Sequence, residues 1–212
     1  MINKILIILA AAIAIGLGIY SYQKTNLSNS NISELLKHAT YLYDNKKAIA
    51  DYDLVDHNGN PFTPNDIRGT WTFWFFGFTH CPDICPITLG TLSASVNKLK
   101  TEHNISYKIN IIFVSVDPER DDTASLKTYV NAFSEHAIGV TAEQNKLTPF
   151  LKNMGIVAVK QDNNGQLKDY LVDHSSSIFL IAPDTGISAY FGSPHEVNSI
   201  VQDFLTINKF YP

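Results

Sequence analysis

Cysteine is scarce in this chain of 212 residues: Cys81 and Cys85 are its only two. A zinc site of the usual four-ligand kind therefore has no second cysteine pair to draw on. Basic charge is also in short supply, with 16 Lys and Arg against 20 Asp and Glu and a formal charge of −4. The basic residues are scattered, which excludes the concentrated face that nucleic acid requires. There is no internal repeat and no low-complexity tract. Hydrophobic residues make up 45% and charged residues 17%, a globular composition and not a disordered one. The length suits one domain of about 150 residues with accessories, and is too short for two.

Charge is missing altogether from residues 5–20, where Gly16 and Gly18 are the only glycines. Through Tyr22 this stretch would be roughly 27 Å long as a helix, near the lower limit for crossing a bilayer. It has no polar face, unlike a soluble core helix. Residues 1–22 are read as an uncleaved signal anchor, with Tyr20 and Tyr22 at the interface. A cleaved signal peptide is the alternative, although Gly16-Leu17-Gly18 imitates a cleavage site poorly because the apolar run continues past it. No cysteine follows for a lipid anchor. Lys4 before the run and Lys24 after it leave the default orientation, with the domain outside. Residues 23–50 are polar and read as a tether with a short helix over 32–43, and residues 51–212 as the globular domain.

Within that domain, 53–56 and 61–62 flank a turn at His57-Asn58-Gly59-Asn60. Residues 71–78 and 109–116 are apolar runs, the pattern of strands buried on both faces. Leu89, Leu92, Val96 and Leu99 place a helix over 88–100, and Leu126, Val130 and Phe133 another over 123–133. Helices are also predicted over 144–154 and 196–205, the latter with Val197, Ile200, Val201 and Phe204 inward. Strand pairs 156–160 with 167–172, and 177–182 with 187–191, flank turns at Asn163-Asn164-Gly165 and Pro183-Asp184-Thr185-Gly186. The sum is an α/β fold, a thioredoxin-like mixed sheet flanked by helices.

Cys81 and Cys85 follow the first buried strand and precede a helix for which Pro86 suits the first position. Unpaired N–H groups and the helix dipole stabilise a thiolate there, which favours reactivity. A structural disulfide is the bland alternative, but one closing so short a loop restrains the unfolded chain little. Thioredoxin-type oxidoreductases place two residues between their cysteines. Three intervening residues let both sulfurs converge on one ion, and two thiolates with one imidazole make a soft site suited to Cu(I).

The chain has seven histidines. His38, His103, His136 and His195 are read as surface residues, and His57 as part of a turn. His80 adjoins Cys81 and could tune it. His174 sits in a polar break between two strands, from which a loop can reach the cysteines.

Phe76-Gly77-Phe78-Thr79-His80-Cys81-Pro82-Asp83-Ile84-Cys85-Pro86, Val114-Ser115-Val116-Asp117-Pro118-Glu119-Arg120-Asp121 and Val172-Asp173-His174-Ser175 resemble the Sco/SenC family in order and spacing, from about Tyr52 to the C-terminus. The resemblance implies a thioredoxin-like fold and copper, as Cu(I) with Cu(II) a second form, held by Cys81, Cys85 and His174. It also implies delivery of copper to the CuA site of cytochrome c oxidase subunit II, or reduction of that site's cysteines. A copper donor and a thiol-disulfide reductase are further implied partners, with the anchor in a bacterial inner membrane and the domain in the periplasm. Asp173 is expected to orient His174 or to cap its loop. Asp117 and Arg120 either brace the metal loop as an ion pair or form a plain turn. Asp83 is a partner contact or a local cap. Two enzymatic alternatives use the same cysteines without metal: a thiol-disulfide oxidoreductase, and a peroxidase with Cys81 as its reactive thiol.

Overall fold

Trp71–Gly77 and Ile109–Ser115 are buried at every position, as the nearly unbroken apolar runs require. They lie at the centre of a computed structural model that describes residues 11–21, 32–42, 48–49, 51–161 and 170–211. Among these residues the strands are β1 (Ala39–Tyr41), β2 (Leu54–Asp56), β3 (Pro61–Phe62), β4 (Trp71–Gly77), β5 (Ile109–Ser115), β6 (Ala137–Thr141), β7 (Ala158–Gln161), β8 (Leu171–His174), β9 (Ile178–Ile181) and β10 (Ile187–Phe191). The helices of the domain are α1 (Ile84–Glu102), α2 (Thr123–Asn131), α3 (Gln144–Asn153) and α4 (Val197–Phe210).

Eight strands form one mixed sheet in the order β1-β10-β9-β4-β5-β6-β2-β3, while β7 and β8 pair separately. β4, β5 and β6 run parallel, and β9 lies antiparallel to β4. Side chains alternate across a strand, so β4 feeds two cores. Phe73 and Phe75 pack with Leu89, Leu92 and Val96 of α1 and Phe204 of α4. Trp74 and Phe76 pack on the other face with Tyr52, Phe62 and Phe150. The mixed sheet between helices meets the thioredoxin-like expectation.

Several elements differ from expectation. α1 begins at Ile84 and not at Pro86, because Pro86 still falls in the first turn, where its missing N–H leaves no gap. The strand β6 was not predicted. Its Gly139 reads as a breaker, yet a Cβ there would come within 3.1 Å of the Leu126 Cβ, so the glycine lets α2 approach the sheet. Residues 32–42, read as tether, dock on the domain. A single turn at 32–35 replaces the predicted helix and is followed by β1, which pairs with β10. The buried carboxylate of Asp203 accepts the backbone N–H groups of Lys37, His38 and Ala39.

The predicted turn at Asn163-Asn164-Gly165 lies outside the described residues, but β7 and β8 pair antiparallel on either side of it. Residues 11–21 are helical, and the rest of the predicted anchor lies outside the described residues. Among the described residues no helix is long and apolar enough to cross a membrane.

Candidate metal centre

The chain leaves β4 at Gly77 and turns through residues 78–83 into α1, carrying Cys81 in the loop and Cys85 in the first helical turn. Gly77 is dictated by close approach. A Cβ there would sit 2.7 Å from Cys85 Sγ and 2.8 Å from Phe113 Cε2. Both cysteines are free, Cys85 fully buried and Cys81 partly exposed. The expected thiolate at the helix N-terminus does not hold for Cys85. Burial first, and the Cys81 thiol second, push its pKa far above the ordinary value. The partial positive charge of a helix end is too small to offset removal of the sulfur from water.

His174 closes β8, opposite Ala158 of β7. Its Nδ1 lies 2.9 Å from the backbone oxygen of Ser175. A carbonyl only accepts, so Nδ1 carries the proton and Nε2 keeps a free lone pair. Burial lowers the His174 pKa and keeps the ring neutral. Nε2 faces Cys85 Sγ at 3.9 Å, and the rings of Phe75 and Phe78 meet the imidazole edge-on at 6.4 and 6.0 Å. A cavity of about 350 Å³ opens beside it, lined by Phe78, Cys81, Pro82, Ile84, Leu171 and His174 among others. Among the described residues, no group of three or more His, Cys, Asp or Glu side chains is already placed to hold a metal ion. Cys85 and His174 are in contact, and the partly exposed Cys81 thiol lies close enough to Cys85 to raise its pKa. As a donor set, two thiols and a neutral imidazole fit a soft cation such as Cu(I).

Asp121 anchors the cysteine loop from beneath. Fully buried, it accepts the Thr79 N–H at 2.9 Å, the Thr79 hydroxyl at 2.6 Å and the Ser115 hydroxyl at 2.7 Å. Asp117 and Arg120 do form an ion pair, at 2.5 Å with the carboxylate fully buried. The Tyr170 hydroxyl donates to the other Asp117 oxygen at 2.6 Å. Among the described residues the buried Tyr129 hydroxyl has no hydrogen-bond partner. Burial, then the nearby Cys85, Cys81 and Asp121, raise its pKa.

The family model described as SCO1/SenC matches residues 41–208. The chain belongs to the SCO1/SenC family. It is 38% identical over 154 residues to the protein SCO2 homolog, mitochondrial, of Mus musculus, covering 72% of this chain and 59% of that one. It is 32% identical over 192 residues to the protein SCO1 homolog 1, mitochondrial, of Arabidopsis thaliana, covering 88% of this chain and 56% of that one. The chain thus spans less than two thirds of the length of these curated relatives. Its fold matches the crystal structure of Arabidopsis thaliana ScoI with copper bound, with a TM-score of 0.73 and 32% identity over 78% of this chain and 100% of that one.

The remaining side chains of this SCO1/SenC domain sort by what they touch. Asp173 does not orient His174: it is exposed and bonds Gln161, because successive residues of a strand face opposite ways. The imidazole is held instead by the Ser175 carbonyl. Asp83 stands at the N-cap of α1 without making a side-chain cap. His195, read as a surface residue, is half-buried, and its Nε2 bonds the Ser176 carbonyl at 2.7 Å, steadying the loop after His174. His80 turns to Thr79 and Asp121, with Nδ1 3.1 Å from the Thr79 hydroxyl. His57 accepts the Gly139 N–H at 3.0 Å, and His136 meets Lys100 at 2.6 Å. His38 and His103 are exposed. Asp121 and His195 were missed as contributors. Asp121 lies in a motif already singled out, whereas no local pattern marks His195.

Proposed function

We propose that this chain is a copper-binding assembly factor that carries copper on Cys81, Cys85 and His174. It hands the metal to the CuA site of cytochrome c oxidase subunit II, or reduces the cysteines of that site. The observation that carries this reading is the 3.9 Å approach of His174 Nε2 to Cys85 Sγ beside a second free thiol. Membership of a family whose Arabidopsis thaliana and yeast members have been solved with copper bound supports it. Each residue has a share in the chemistry. Cys85 surrenders its proton when a cation supplies the charge that burial denies it, so loading releases protons. His174 offers a lone pair without a proton to lose. Cys81, at the surface, is the thiol that a copper donor or acceptor reaches first. A site with few ligands and one exposed sulfur lets an incoming thiolate exchange without prior release of the metal.

Residues 1–22 serve as the anchor in a bacterial inner membrane, with the domain in the periplasm. Exposed Ile13, Ile15, Leu17 and Ile19 on the helical stretch 11–21 support this placement.

The test is an anaerobic Cu(I) competition titration of the reduced full-length chain against Cys81→Ser, Cys85→Ser and His174→Ala. One copper per chain, held more weakly by every variant, is expected. Binding indifferent to His174 would sink the three-ligand reading. A second reading, a thiol-disulfide oxidoreductase, is favoured by the asymmetry of the pair: an accessible Cys81 to attack a disulfide and a buried Cys85 to resolve it. That activity survives His174→Ala, whereas tight copper binding does not.

A further inference from the structure

Arg120 touches both segments that carry the proposed ligands. Its guanidinium carbon lies 3.6 Å from the centroid of the Tyr170 ring and 5.6 Å from that of Phe78. Tyr170 stands directly before β8, the strand that ends in His174. Phe78 opens the cysteine loop, and its ring meets the His174 imidazole edge-on at 6.0 Å. Asp117 completes the set, bonded to Arg120 Nε at 2.5 Å and to the Tyr170 hydroxyl at 2.6 Å. From His174 the contacts run through Phe78 and Arg120 to Tyr170, and return along β8 to His174.

Among the described residues strand β8 pairs with β7 alone and enters the core only through Val172. Its partner β7 is largely exposed. The guanidinium is itself placed by its plane more than by a full set of hydrogen bonds, since its buried Nη2 has no partner among the described residues. A lysine could bring the same charge to Asp117 but could not lie flat on Tyr170. On the outer side Lys160 reaches the same ring, its Nζ 5.1 Å from the centroid while paired with Glu119.

We propose that Arg120 is a positioning residue for His174: stacked against Tyr170 and Phe78, it sets the distance between the strand that bears His174 and the loop that bears Cys81. This rests on the three-ligand reading above. Mere stabilisation of the fold would spread through the domain. Positioning acts on copper through His174 and leaves the dithiol alone.

The test is a double-mutant cycle on the full-length chain, with Arg120→Gln, His174→Ala and both together titrated with Cu(I). Arg120→Gln is expected to lose about ten- to hundredfold in copper affinity, the range for removal of a residue that orients a ligand. The double variant should bind no more weakly than His174→Ala, and Arg120→Lys should recover only part of the loss. The Cys81–Cys85 reduction potential should not move. Without metal, amide exchange should quicken at residues 170–174 and stay unchanged in β4 and β5. An unchanged affinity, an equal loss with and without His174, or exchange that quickens everywhere overturns the proposal. Should Arg120→Gln fail to fold, Arg120→Lys decides, and wild-type affinity there overturns it. If wild type and His174→Ala bind copper alike, the three-ligand reading itself has failed. The metal-free exchange then judges the hold of Arg120 on β8 separately, and unaltered amides at 170–174 dismiss it.

Discussion

Cys85 and His174 come within 3.9 Å of each other from scaffolds of different kinds. Behind Cys85 stand β4 and β5, seven residues each and buried throughout, with Asp121 tying the loop down. Behind His174 stands a pair of four-residue strands, with Val159 54% exposed and Leu171 exposed as well. Segments with few buried contacts open at lower free energy than a central sheet. The proposed copper carriage, which must both grip and release an ion, gains from this inequality: one wall keeps the geometry and the other yields.

The contrast can be broken most forcefully at Asp121. Asp121→Ala would strand buried donors from Thr79 and Ser115, and a loss of about 3 kcal/mol is expected in urea unfolding. Cys81 should react faster with a thiol reagent in the same variant, and an unchanged rate would show that Asp121 does not set the loop. Gly77→Ala comes next. The added methyl drives into Cys85 Sγ and the Phe113 ring, for an expected cost of about 1–3 kcal/mol together with weaker copper binding in the titration. Acid should act on the cysteine side through His57, whose pKa is lowered chiefly by burial while Nδ1 accepts the Gly139 N–H of β6. A histidine that resists protonation when folded contributes full stability above its ordinary value of 6.5 and loses it as pH falls below. Urea midpoints measured from pH 7.5 to 5.5 should therefore fall less steeply for His57→Leu than for wild type. The smallest effect belongs to the histidine side: Val159→Ala should cost under about 0.5 kcal/mol. A larger cost would mean that β7 is held more firmly than its exposure implies.

The two sides were unequally legible in the sequence for the same reason. An apolar run such as 71–78 declares a buried strand locally, and the face of Leu89, Leu92, Val96 and Leu99 declares a helix. β6 was hidden because Gly139 answers to α2 and not to its neighbours in the chain. β1 was hidden because the carboxylate that secures it, Asp203, lies more than 160 residues away. At the site, the cysteine loop could be read from its place between strand and helix. His174 was marked only by its place in a polar break between two strands, and it needed the family resemblance to be named as a ligand. The work of Asp121, Arg120 and His195 depends on which distant backbone or ring each one meets, and no periodicity carries that information.

The strand order begins with β1 and ends with β3, so the borders of the large sheet are a three-residue strand latched by Asp203 and a two-residue strand that opens with Pro61. A proline has no N–H to offer, and short borders give a foreign strand little to pair with. Here the chain's own early segment occupies one border and Pro61 opens the other, so the large sheet turns toward solvent only short edges that are poor templates for another chain.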